Sequence, residues 1–159
     1  MKLIFLDIDG VLNTNYTEEL TPTAAIFVEN SKIKILKQII DETDAKVVLS
    51  STWRWGWMHL EEGKESVLSE DFILLERKLR EFNIELFDRT PYFGWGRDRG
   101  EEIKAYLDSR DDVEGYVIID DMSSIRLRPC DSHLLQTSEW EGLQEEHIEI
   151  AKRIMEMEV

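Results

Sequence analysis

The apolar run Leu3-Ile4-Phe5-Leu6 stops abruptly at two aspartates spaced two apart, Asp7 and Asp9, and Gly10 follows at once. The run has the length and the β-branched and aromatic content of a buried strand. A strand that ends in paired carboxylates and a glycine places charge at a sheet's carboxyl edge, where open α/β sheets bind their ligands. The pattern recurs late in the chain, where Tyr116-Val117-Ile118-Ile119 runs into Asp120-Asp121.

Between these two runs the periodicity alternates. Ile33, Leu36 and Ile40 give helical spacing over residues 31–43, with Asn30 or Ser31 as cap. Residues 45–49 read as a second strand, ending in Ser50-Ser51-Thr52-Trp53-Arg54. After a segment containing Trp and Gly, Phe72, Leu75, Leu79 and Phe82 line a helix face, with Ser69 as the expected cap. Residues 84–87 form a short third strand and 88–96 a loop. Asp98-Arg99-Gly100-Glu101 has capping-box form and opens a helix with Ile103, Tyr106 and Leu107 inward. Residues 134–137 are a fifth strand and 143–157 a closing helix, in which His147 is a packing residue. Strands alternating with helices predict βαβ units and a largely parallel sheet. Residues 1–159 show no internal repeat and no linker, so one domain is expected.

The wording Asp7-Ile8-Asp9-Gly10-Val11-Leu12-Asn13 resembles the first motif of the haloacid dehalogenase-like (HAD) phosphohydrolases. The resemblance implies an α/β, Rossmann-like fold, a parallel sheet flanked by helices. The family's second motif, a Ser or Thr after the second strand, matches Ser51, with Ser50 as the other candidate. Its third, a Lys or Arg that balances charge at the nucleophile, matches Arg99, then Lys104 and Arg97. Its fourth, an acidic pair after a hydrophobic strand, matches Asp120 and Asp121. Leu49-Ser50-Ser51-Thr52-Trp53-Arg54 and Arg99-Gly100-Glu101-Glu102-Ile103 look most like the small HAD domains grouped with multifunctional RNA-repair proteins.

By that resemblance Asp7 is a nucleophile that attacks phosphorus to give an aspartyl phosphate, and Asp9 is the general acid/base. Asp7, Asp120 and the backbone carbonyl of Asp9 would bind Mg²⁺, with Asp121 completing or orienting the metal shell. Ser50, Arg54, Gly10 and Lys104 are further candidates for holding the phosphate. Large caps are expected to be absent, because residues 13–30 and 88–96 are long enough for a hairpin or short lid but not for a domain.

Composition narrows the partners. A net charge of −15 repels long polyanions, so no extended nucleic-acid surface is expected. The acid is uneven: residues 139–159 hold seven glutamates against Lys152 and Arg153, while Arg54, Arg89, Arg97, Arg99, Arg126 and Arg128 fall in loops or element starts. Locally positive loops suit one phosphate group, on a small molecule or on a nucleic-acid or protein end. No apolar run approaches the ~18 residues of a membrane span. One cysteine, Cys130, and a start without a signal-peptide pattern suit the cytoplasm. Trp53, Trp55, Trp57 and Trp95 fall in two loops of the expected carboxyl-end rim, either packing on one another or offering a ring to a base. Two other functions fit parts of the pattern: a receiver-like phospho-accepting regulatory domain and a catalytically silent HAD-fold binding module. The late position of the second acidic pair weighs against the first, and retention of both Asp7 and Asp9 against the second.

Overall fold

A computed structural model describes residues 1–159. Five strands, β1 (Lys2–Leu6), β2 (Lys46–Leu49), β3 (Leu86–Arg89), β4 (Gly115–Asp120) and β5 (Leu134–Gln136), form one all-parallel sheet in the order β3-β2-β1-β4-β5. Every residue of β4 is buried, and so are Leu3 to Leu6 of β1. Strands covered on both faces read as continuous apolar runs, which is why these two were plain in the sequence.

Five helices cover the sheet: α1 (Asn30–Thr43), α2 (Arg54–Glu61), α3 (Val67–Glu81), α4 (Arg99–Asp108) and α5 (His147–Met155). On one face Ile33, Leu36 and Ile39 of α1, Phe72, Leu75 and Leu79 of α3, and Ile148, Ala151 and Met155 of α5 pack on Ile4, Leu6, Val47, Leu49, Val117 and Ile119. On the other, Ile103 and Tyr106 of α4 join Leu127 and Cys130 against Leu3, Phe5, Val48, Tyr116 and Ile118. The order reverses at β1 and β4, so the crevice that doubly wound sheets use for ligands opens at the ends of these two strands.

Several element ends depart from the sequence reading. The segment after β2 is helical as α2, where no helix was expected; Gly56 sits in it because a Cβ there would lie 2.1 Å from the Leu68 carbonyl oxygen of α3. Ser66, not Ser69, caps α3: its hydroxyl accepts from the Ser69 N–H, and Ser69 accepts in return from the Ser66 N–H. Neither Asn30 nor Ser31 caps α1, which starts after Glu29 with no side-chain cap. Asp98 likewise caps nothing on α4; its carboxylate pairs with Arg126 at 2.9 Å, and Glu101 pairs with Arg97 at 2.7 Å. β3 starts two residues later than expected, because the Ile84 N–H closes the end of α3 on the Leu79 carbonyl. The last helix begins only at His147, whose Nδ1 accepts from the Gln144 N–H in the turn before it.

No cap domain covers the strand ends. Between β1 and α1 the only pairing is one antiparallel bridge, Leu20 to Ile26, and between β3 and α4 there is no regular element. No helix is long and apolar enough to cross a membrane.

Candidate active site

Asp7 follows β1 directly, and its N–H bonds the Ile119 carbonyl at 3.0 Å, continuing the β1–β4 ladder. The register pairs Leu6 with Ile119 and with Leu49, so one step further Asp7, Asp120 and Ser50 stand in a single row across the sheet. The Ser50 N–H extends the same ladder to the Leu6 carbonyl at 3.0 Å. Alternation along a strand puts this row on the face of Phe5, Val48 and Ile118, the side covered by α4.

α4 delivers the cation. Arg99 opens it, and its guanidinium reaches Asp120 at 2.7 Å and Asp7 at 3.3 Å, with all three side chains nearly enclosed. Oxygen atoms of Asp7, Asp120 and Asp121 lie within 4.8 Å of one another. Three carboxylates facing one guanidinium leave two negative charges uncompensated. Burial pushes the Asp7 carboxyl well above its usual range, and Asp120 and Asp121 add to the shift against Arg99. Burial and Asp120 also raise Asp121. Burial alone would lower the Arg99 pKa, but Asp7 and Asp120 override it and hold the guanidinium charged. An all-oxygen cluster with this charge deficit fits a hard divalent cation such as magnesium.

Asp9 lies outside that cluster. Its carboxylate accepts from Asn13 Nδ2 at 2.9 Å and from the Trp53 indole N–H at 3.1 Å. Asn13 Oδ1 in turn accepts from the Gly10 N–H at 3.0 Å, which locks the turn. The first-motif spacing already contained Asn13; nothing local in the sequence pointed to Trp53 as the other holder of Asp9.

Three of the four further phosphate candidates, Gly10, Arg54 and Lys104, and the second-motif candidate Ser51 make contacts within the protein. Gly10 spends its N–H on Asn13, and its carbonyl accepts from the Thr137 hydroxyl at 2.6 Å, so it has no donor left for a phosphate. Its positive φ and lack of a side chain serve Asp121 instead, since a Cβ at Gly10 would lie 2.1 Å from Asp121 Oδ2. Arg54 points into the protein, donating to the Ser50 carbonyl at 3.0 Å, Thr90 Oγ1 at 2.5 Å and Glu102 Oε1 at 2.7 Å. Lys104 is half-exposed and pairs with Asp108 one turn along α4. Ser51 Oγ accepts from the Trp53 N–H, a local turn bond, whereas the buried Ser50 hydroxyl in the Asp7 row has no partner.

The tryptophans divide. Trp57 stacks on Phe72 with centroids 5.2 Å apart, and Trp55 meets Tyr92 edge-on at 5.4 Å. Trp53 serves Asp9, and Trp95 is 98% exposed.

Gly10→Ala is expected to displace Asp121 and strain the turn, weakening magnesium binding by about 10–100-fold, as for other lost supports of a metal shell. A magnesium titration of the variant checks this, and unchanged affinity would remove Asp121 from the shell.

A family model described as "HAD domain in Swiss Army Knife RNA repair proteins" matches residues 3–148. No curated protein and no solved structure matched the chain.

Proposed function

Because the chain belongs to the family of HAD domains in Swiss Army Knife RNA repair proteins, we propose that it is a magnesium-dependent phosphomonoester hydrolase working through an aspartyl phosphate. The observation that carries this reading is the separation of two carboxylates two residues apart. Asp7 is buried in the triad beside Arg99, while Asp9 is held outside it by Asn13 and Trp53. Different surroundings for paired acids are how one site assigns different roles to them.

Asp7 attacks phosphorus in line, forming an acyl phosphate as the bond to the leaving oxygen breaks. Asp9 gives that oxygen its proton. Asp9 then takes a proton from water as the water attacks phosphorus and releases Asp7. Arg99 balances the carboxylates through both steps, and the unpartnered Ser50 hydroxyl, rather than that of Ser51, stands in the Asp7 row to bond a phosphoryl oxygen. Asp7, Asp120 and Asp121 would hold the magnesium ion, which supplies charge neutralisation between carboxylate and phosphate. With no cap, the site admits a phosphate on a bulky molecule, including a nucleotide or a nucleic-acid end. A cytoplasmic setting suits this reading.

Phosphate release from a generic aryl phosphate, present with magnesium and absent with chelator, is the expected result. No release under any divalent cation would reject the reading. Magnesium is also expected to raise Tm, with roughly 2–3 kcal/mol of stabilisation at a hundredfold excess over Kd. The shift should be larger at about pH 8 than at about pH 5, because protons on the raised Asp7 and Asp121 compete with the metal. Calorimetry across that range checks it; equal shifts would place the metal elsewhere.

A further inference from the structure

A cavity of about 350 Å³ opens beside Asp9, walled by Ile26, Trp53, Trp55, Leu68 and Asp71. We propose that it is the leaving-group subsite and that it takes the base of a nucleoside monophosphate, with Asp71 reading the base. The inference rests on the reading above in one respect, that Asp9 protonates the leaving oxygen.

Position comes first. Asp9 is itself part of the cavity wall, so an oxygen within its reach carries whatever is attached to it into this space. The size is on the scale of small-ligand sites. Two indoles with Ile26 and Leu68 make an apolar slot suited to a planar ring. One indole is already fixed, since the Trp53 N–H is spent on Asp9.

Charge then selects among ring-bearing leaving groups. Asp9 and Asp71 are the charged side chains that line the cavity, and no Lys or Arg lines it. A second phosphate on the leaving group would meet carboxylates only, which disfavours nucleoside polyphosphates and sugar bisphosphates. Stacking needs no basic groove and is compatible with a net charge of −15.

Asp71 supplies the polar feature. It is buried on α3, and its Oδ1 accepts from the Thr23 hydroxyl at 2.5 Å, which pins the 20–26 turn over the cavity. No protein donor reaches its second oxygen, Oδ2. A carboxylate that lines the slot and has one oxygen without a protein donor favours a base that presents an amino group. Adenine, cytosine and guanine do so, whereas the ring N–H of uracil is flanked by two carbonyl oxygens that a carboxylate repels.

The test pairs binding with turnover. Quenching of tryptophan fluorescence by adenosine, cytidine, guanosine and uridine reports the subsite without chemistry. Values of kcat/KM on the four monophosphates and on a sugar phosphate report its use. Amino-bearing nucleotides are expected to exceed uridine monophosphate by about tenfold, the scale of one hydrogen bond to a charged group. Asp71→Asn keeps an acceptor for Thr23 but removes the charge, and should bring the adenosine-to-uridine ratio close to one. Leu68→Trp should fill the slot and abolish nucleoside quenching; it decides the matter if Asp71→Asn fails to fold. Nucleosides that fail to bind a wild-type protein that hydrolyses aryl phosphate would overturn the subsite and leave the phosphatase standing. Nucleoside binding with no phosphomonoester hydrolysis would reject the phosphatase, and with it the leaving-group role, while leaving the cavity as a base-binding site. A base preference untouched by either variant would also overturn the subsite.

Discussion

Asp7→Asn is expected to lower phosphate release by at least ~10⁴-fold, on the scale of losing a nucleophile outright, while leaving the protein folded. Asparagine has the same shape but cannot form the acyl phosphate, and it removes one of three charged metal ligands. The same substitution has a signature in stability. The Asp7 carboxyl is raised in the folded state, first by burial and then by Asp120 and Asp121. An acid raised on folding contributes stability that is fully present below its unfolded pKa and lost as pH climbs through the folded value. Asparagine mimics the protonated acid at every pH. The metal-free variant should therefore match wild type in acid and become more stable than wild type as pH rises, a gap that magnesium closes by stabilising wild type alone. Thermal melts with and without chelator, beside the turnover assay, test both halves. Turnover that persists in Asp7→Asn would remove Asp7 as nucleophile, and a variant less stable at high pH would mean that the Arg99 pair outweighs the repulsion.

The parts of this site that were legible in the sequence are those carried by one short run. Asp7 and Asp120 end strands buried on both faces, so an apolar run and its acidic stop were visible together. Arg99 could be proposed from its helix start, but its contact with Asp7 spans most of the chain and only the sheet order creates it. The choice between Ser50 and Ser51 depends on pleat parity and register, and neither exists until β2 is paired with β1. α2 was hidden because Gly56 and two tryptophans, Trp55 and Trp57, disguise its periodicity. Gly56 answers to the backbone of α3, and Trp57 to Phe72, rather than to helix propensity. Gly10 stands among the phosphate candidates in the sequence, but the neighbour that needs its missing side chain is Asp121, which lies far along the chain and meets it only through the β1–β4 pairing.

Arg54 is the residue whose role lay furthest from its expected place, and it carries the largest expected effect on stability. Its guanidinium and the Glu102 carboxylate are almost fully enclosed, 2.7 Å apart. Burial lowers the Arg54 pKa, with Glu102 opposing, so the charged form is held against a desolvation cost by that partner. The pair also fixes the site. Arg54 donates to the Ser50 carbonyl at the end of β2 and to Thr90 beyond β3, while Glu102 accepts from the Phe93 N–H and sits on the helix that carries Arg99. Arg54→Met would leave a buried carboxylate with the Phe93 amide as its remaining partner, at a cost of about 3–5 kcal/mol. For a chain of this length that lowers Tm by roughly 6–20 °C. Arg54→Met combined with Glu102→Leu should recover part of the loss, because an apolar pair of similar volume carries no buried charge. Activity should not recover with it, since neither side chain then ties α4 to the Ser50 row. A single variant that costs under ~1 kcal/mol, or a double variant with full turnover, would show that the pair neither stabilises the fold nor positions Arg99 and Ser50.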